Sequence, residues 1–224
     1  MSQSVDKPKI RVDIVHLAVS IKRKKILDDI SLSFVSPNIY GIVGPNGTGK
    51  SVFLKALLGF IRLASGSVKI NDVQIDPRRD FPVSVGAIIE HPGFINDMNG
   101  HDNLLALGQI RSDLTDADVH AVMVKVGLPD DKKPVSDYSL GMIQRLGIAQ
   151  AIMEDQQLIV LDEPTNALDR EGIAFLTKLL KELRDQGKLV LIASHDLLWL
   201  QTLADQTFEL THGQLHKIED VMQA

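Results

Sequence analysis

Gly44-Pro45-Asn46-Gly47-Thr48-Gly49-Lys50-Ser51 lies between an apolar run, Ile39 to Val43, and a helix-forming run, Val52 to Leu58. The pattern G-x-x-x-x-G-K-[ST], set between a strand and a helix, is that of a phosphate-binding loop. Its glycines let successive backbone N–H groups converge on phosphate oxygens, and the following helix turns its positive dipole end to the same anion. Lys50 adds a mobile positive charge for the β- and γ-phosphates, and Ser51 a hydroxyl for Mg²⁺. Loop, strand and helix agree, so the stretch predicts an α/β core that binds a nucleotide here.

Composition narrows what such a core can be. A chain of 224 residues fits one large domain or two small lobes with a substantial buried core. With 44% apolar and 24% charged residues it is not mainly disordered. The net charge of -5 gives no electrostatic reason to expect a nucleic-acid partner. Lys22-Arg23-Lys24-Lys25, a local basic run, reads as a solvated hairpin tip in preference to a phosphate or lipid site. The absence of cysteine excludes disulfides and thiolate metal sites and is compatible with a reducing cytosol. No apolar run is long enough to span a bilayer, and the polar start Met1-Ser2-Gln3-Ser4 does not read as a signal peptide. Any membrane role is therefore expected to be peripheral.

After a polar, loose opening up to Lys9, residues Ile10, Val12, Ile14 and Leu17 begin a strand, and Ile26, Ile30, Leu32 and Phe34 mark a second. Ser36-Pro37-Asn38 breaks the pattern before the strand that feeds the loop, so the front of the chain predicts an antiparallel sheet. Gly59 ends the helix after the loop, and Ser65 to Asp72 reads as turn, strand and turn. A buried strand at Val85 to Ile89 delivers Glu90 at its C-terminal end, where open α/β sheets place their chemistry. From His91 to about Gln156 the pattern turns helical. Thr115-Asp116-Ala117-Asp118 starts a helix bearing Ala121, Val122, Val124 and Val126 and stopping at Gly127; Ser139 precedes another bearing Leu140, Ile143, Leu146, Ala149, Ala151 and Ile152. The α/β pattern resumes with Leu158 to Glu163, a helix from Glu171 to Asp185, a strand from Leu189 to Ala193 and a hairpin around His212-Gly213. The expected fold is one α/β domain with a mostly parallel sheet, an N-terminal antiparallel β-subdomain and an inserted helical subdomain. Its catalytic lobe spans about residues 8–90 and 157–220, and the helical subdomain about 91–156.

Asp162 and Glu163 end an all-apolar run. An Asp there can hold Mg²⁺, and the next carboxylate can orient and deprotonate an attacking water. His195, after the following apolar strand, is placed to reach a γ-phosphate or that water, although a lone histidine at such a position is more often structural.

Taken in order, these motifs resemble the ATP-binding cassette of ABC transporters over nearly the whole chain. Gly44 to Ser51 matches Walker A, Tyr138-Ser139-Leu140-Gly141-Met142-Ile143-Gln144-Arg145 the signature, and Leu158 to Glu163 Walker B. Pro164-Thr165-Asn166-Ala167-Leu168-Asp169 matches the D-loop region, and Ser194-His195-Asp196 the switch histidine. The resemblance implies a P-loop NTPase that uses ATP and Mg²⁺. It implies a head-to-tail homodimer or paired cassette in which two ATP molecules are sandwiched. Each would be held by Gly44, Pro45, Asn46, Gly47, Thr48, Gly49, Lys50 and Ser51 of one subunit and by Ser139, Leu140, Gly141 and Met142 of the other. Ser51, Asp162 and Glu90 would serve the metal, Glu163 the attacking water, His195 the γ-phosphate and Asp169 the D-loop. Hydrolysis would separate the lobes and drive a separately encoded transmembrane permease, with the chain peripheral on the cytoplasmic face of the cell membrane.

Three departures mark this chain within that resemblance. Leu140 and Met142 replace the first glycine and the glutamine of the usual LSGGQ, leaving Ser139 and the Gly141 backbone as the phosphate cap. Glu90, in Ala87-Ile88-Ile89-Glu90-His91-Pro92-Gly93-Phe94, stands where a glutamine is usual; its carboxylate can bind Mg²⁺ but repels a γ-phosphate. Ile21 stands where an aromatic normally stacks on adenine, which predicts weaker base selectivity. The Glu-His-Pro-Gly-Phe loop with the Tyr-Ser-Leu-Gly-Met signature resembles the bacterial subgroup that exports bacitracin-type and lantibiotic-type peptides. Phe94 then reads either as a permease-docking aromatic or as a partly buried loop residue. The competing functions are a soluble ABC-type ATPase of DNA repair or translation and a weakly active regulatory cassette.

Overall fold

The computed structural model describes residues 9–76, 78, 81–110 and 112–219. The opening from Met1 to Ser4, read above as no signal peptide, lies outside the described residues. β1 (Arg11–Ile21) and β2 (Lys24–Val35) form an antiparallel hairpin closed by Lys22-Arg23. β3 (Asn38–Val43) then carries the chain into the glycine-rich loop, and α1 (Lys50–Leu57) leaves it. β4 (Ser65–Ile70) and β5 (Val73–Gln74) return to the first hairpin and complete an antiparallel sheet of order β2-β1-β4-β5.

β6 (Val85–Ile88) opens the longest helical stretch: α2 (Gly100–Gly108), α3 (Asp116–Lys125), a short 3-10 turn at Val135–Asp137 and α4 (Leu140–Ile152). β7 (Leu158–Asp162), α5 (Arg170–Asp185), β8 (Leu189–Ser194), α6 (Leu197–Leu203), β9 (Gln206–Thr211) and β10 (Gln214–Ile218) follow. The second sheet has the order β10-β9-β3-β8-β7-β6 and is parallel except at the terminal β9–β10 hairpin. β7 and β8 are buried along their whole length, which is why both read as unbroken apolar runs: a parallel strand covered on two faces has no solvent side to mark with polar residues.

Two cores follow from this arrangement. Phe34, Phe53, Leu54 and Leu191 belong to one that embeds α1 between the antiparallel and parallel sheets; Met123, Leu146, Leu180 and Ile192 belong to the other, under α3 to α6. Each such fully buried side chain contributes about 1.5–3 kcal/mol of transfer free energy. β6 and α4 approach so closely that a Cβ on Gly86 would overlap the Ala151 carbonyl.

Details of the helical stretch differ from expectation. α3 begins on Thr115 as expected, with a reciprocal capping box to Asp118, but Ala121 and Val124 face solvent and the buried face is Val119, Val122 and Met123. α2 and α6 carry no individual sequence expectation.

Candidate active site

The ends of three neighbouring parallel strands build the site. The register Val43↔Ser194 and Asp162↔Ala193 brings the loop after β3, Glu163 after β7 and His195 after β8 to one edge. Ligands of open α/β sheets gather at this carboxyl edge. A cleft of about 580 Å³ opens there, lined by the loop residues Asn46, Gly47, Gly49, Lys50 and Ser51, by Val52, Asp162 and Glu163, and on the other side by Ile21, Lys22, Lys24 and Ile26.

Gly49 is the N-cap of α1 at φ 109°, ψ 13°, with no side-chain cap. Only glycine takes that conformation without strain, and it leaves first-turn N–H groups free for an anion. The Lys50 ammonium is buried, donating to Gly44 O at 2.8 Å and Pro45 O at 3.3 Å and lying 3.1 Å from Glu163 Oε1. That last contact is an ion pair without hydrogen-bond geometry, which leaves Oε1 unbonded. Glu163 Oε2 lies 2.8 Å from His195 Nδ1 and accepts from the His195 backbone N–H at 3.3 Å. The acid therefore rests between two basic groups.

Asp162 is 5% exposed. Burial pushes its carboxyl above the ordinary aspartate value, against hydrogen bonds from the Ser51 hydroxyl and the Glu90 backbone N–H and the charge of Lys50; the Glu163 charge adds to the rise. Its Oδ1 has no partner. A buried, unsatisfied carboxylate oxygen beside a serine hydroxyl is a donor set for a hard divalent cation. Among the described residues no group of three His, Asp or Glu side chains forms a metal cage, so the cation would take its other ligands from phosphate and water, as Mg²⁺ does.

Glu90 does not line this cleft. Its side chain is exposed and pairs with Lys55 of α1, whose hydrogen bond and charge hold the carboxyl below the ordinary glutamate range; only its backbone N–H reaches the site, through Asp162. Ile21 does line the cleft, and so do Lys22 and Lys24, which the sequence presents as a solvated tip. Four consecutive cations were the available signal; the surface they lean over was not.

The signature residues form a second cleft of about 550 Å³ that shares no residue with the first. Ser139 caps α4, its Oγ accepting from Met142 N–H at 3.2 Å, and Asp169 caps α5, accepting from Gly172 N–H at 2.8 Å. Leu140 is 74% exposed. At Gly141 a Cβ would lie 3.0 Å from Ala167 O, so the D-loop backbone abuts the helix start. Arg145, the last residue of the signature stretch, lines the same cleft, donates to Val126 O at 2.8 Å and stacks over Phe175, tying α4 to its neighbours. Phe94 is partly buried against the core, which favours the loop reading over the docking one.

Comparison with known proteins agrees with this architecture. The family model described as ABC transporter matches residues 27–166. The ABC transporter ATP-binding protein YybJ of Bacillus subtilis is 38% identical over 94% of this chain and 97% of its own length. The bacitracin transport ATP-binding protein BcrA of Enterococcus faecalis is 37% identical over 94% of this chain and 68% of its length; the lantibiotic transport ATP-binding protein SrtF of Streptococcus pyogenes is 35% identical over 86% and 83%. A solved structure of an ATP-binding subunit of an ABC transporter shares the fold at TM-score 0.82 and 21% identity, over 92% of this chain and 89% of that one.

Proposed function

Since the chain belongs to the ABC transporter family as an ATP-binding, ATP-hydrolysing subunit, we propose that two copies close head to tail around two ATP molecules and drive a separate membrane permease. The observation that carries this reading is the division of the phosphate-binding groups between two clefts of one chain. Lys50, Ser51, Asp162 and Glu163 line the first, with His195 against Glu163, and the Ser139 helix start stands in the second. A helix N-terminus with a hydroxyl is a ready γ-phosphate cap, and a second copy supplies it.

Glu163 lies against the Lys50 ammonium and the His195 ring. An entering triphosphate offers Lys50 a stronger anion than the Gly44 and Pro45 carbonyls, which releases Glu163 Oε1 to take a proton from water. His195, 53% exposed in its side chain, is then free to turn toward the γ-phosphate. Ser51 and Asp162 would hold Mg²⁺, which when bound would supply positive charge against the developing phosphate charge. Leu140, Gly141 and Met142 border the cap, and Asp169 holds the D-loop at the dimer seam. Glu90 would serve the metal only if its side chain left Lys55, and Ile21 flanks the base.

The helices between β6 and β7 are the module that meets the permease, at the cytoplasmic face of the membrane. Among the described residues no helix is long and apolar enough to cross a membrane itself. The names of SrtF and BcrA support peptide antibiotics as the exported class. Glu163→Gln tests the core of this reading: turnover should fall at least about a hundredfold, the scale of a lost general base. Adding Mg²⁺ and ATP should then double the particle mass in solution. Unchanged turnover would remove Glu163 from its role, and a monomer under all conditions would refute the sandwich.

A further inference from the structure

We propose that the Lys22–Lys24 hairpin tip is a second cationic grip on the nucleotide, so that the site reads polyphosphate charge in preference to the base. The proposal rests on nucleotide binding in the first cleft. β2 covers the phosphate loop directly: a Cβ on Gly49 would lie 3.0 Å from Ile26 Cγ2. The cleft wall facing the loop is thus made of Ile21 and Ile26 with the two lysines beside them, and among the described residues no aromatic side chain lines it. Aliphatic side chains bury a base without telling one from another, since they offer neither a stacking face nor hydrogen bonds to its edge.

Two further observations set the lysines apart from an ordinary solvated turn. Among the described residues Lys22, Arg23 and Lys24 have no acidic partner, whereas Lys25 pairs with Asp28 at 2.8 Å. Lys22 and Arg23 also hold φ values of 48° and 65°, a left-handed pair that two-residue hairpins normally assign to Asn-Gly. Both residues are exposed, so no burial compensates the strain. Placing unpaired cations over a phosphate loop in strained backbone concentrates positive charge where a triphosphate enters. Because the ammonium groups are solvent-exposed, their attraction is screened over about 8 Å at physiological salt and must show as salt-dependent binding.

Displacement of a fluorescent nucleotide by ATP or GTP, with Mg²⁺, on the full chain tests the grip. The unmodified chain should bind the two within about fivefold of each other, and Lys22→Glu with Lys24→Glu should weaken both about tenfold at low salt and flatten the salt dependence. The neutral pair Lys22→Gln and Lys24→Gln should give a smaller loss in the same direction. Lys132→Glu with Lys133→Glu, an equal charge change in an exposed connector, should leave both affinities unchanged. A preference for one base beyond about fivefold, or unaltered affinity in the charge-reversed pair, overturns the proposal. Lys50→Ala separates the two levels. If it weakens binding while the tip variants do not, the cleft stands and the grip falls; if it leaves binding intact, the nucleotide lies elsewhere and both fall.

Discussion

Asp162 sits where the fold opposes a negative charge. Its carboxyl is buried with one oxygen unbonded, and its pKa stands above the ordinary value of 3.8 mainly through desolvation. A carboxyl whose folded pKa is raised binds its proton more tightly in the native state than in the unfolded one. It therefore costs folding nothing below 3.8, and the cost grows as the pH rises from there and is complete above the raised folded value. At neutral pH the chain bears this cost, which a bound cation would offset. Asp162→Asn should raise the ligand-free melting temperature by about 3 °C, equivalent to about 1 kcal/mol, while abolishing Mg²⁺-dependent turnover. A lower melting temperature would show instead that the carboxylate stabilises the empty site. Asp162 and Glu163 were legible because an all-apolar strand ending in acids has few other uses. The Glu90 rotamer was not, since it depends on Lys55, a neighbour brought near only by α1. The position of Lys22 and Lys24 depends likewise on where a hairpin tip comes to rest, which strand alternation leaves open.

α2 and α3 illustrate the same division among elements. Thr115 to Asp118 announces α3 because a capping box is local chemistry. α2 starts on an Asn99 cap that accepts from Asp102 N–H, and it is held by a buried polar side chain that no hydrophobic period announces: Asn103, 3% exposed, ties the first turn to the preceding loop, donating to the carbonyls of Ile95, Met98 and Asn99 and accepting from the Ile95 N–H. A further clamp joins α2, α3 and the connector before α4. His101 contacts Asp116 and Asp130 at 3.1 Å through its two ring nitrogens, and His120 contacts Asp130 at 2.7 Å. Burial alone lowers the His101 pKa, but the hydrogen bonds and charges of Asp116 and Asp130 outweigh it and the net shift is upward from 6.5. Protonated His101 thus stabilises the clamp fully below 6.5, and the contribution is lost as the pH rises through the raised folded value. Hydrogen-exchange protection of the α2 amides, corrected for the intrinsic exchange rate, should fall as the pH rises above 6.5, and His101→Gln should flatten that dependence. Equal profiles in both chains would remove the clamp from the stability of this module.

For the molecule as a whole, motif order made the fold readable, because each motif ends a strand or opens a helix that the sheet order β10-β9-β3-β8-β7-β6 places. What no single chain shows is how its two clefts are used. Lys50 and Met142 line different clefts with no residue in common, so a symmetric pair would contain two composite sites, each taking one half from each copy. Lys50→Ala disables the first half. Met142→Glu disables the second by setting a carboxylate at the cap, while Ser139 at the helix start keeps a favourable partner three residues on, so α4 still forms. Each variant alone should be inactive. Mixed in equal amounts, random pairing makes about half the dimers hybrids, and each hybrid holds one intact site and one doubly damaged one. The mixture should recover about a quarter of normal ATP turnover if the sites act independently. Turnover that stays absent in the mixture, while both variants still dimerise with the unmodified chain, would mean that one chain must supply both halves or that neither site works without the other.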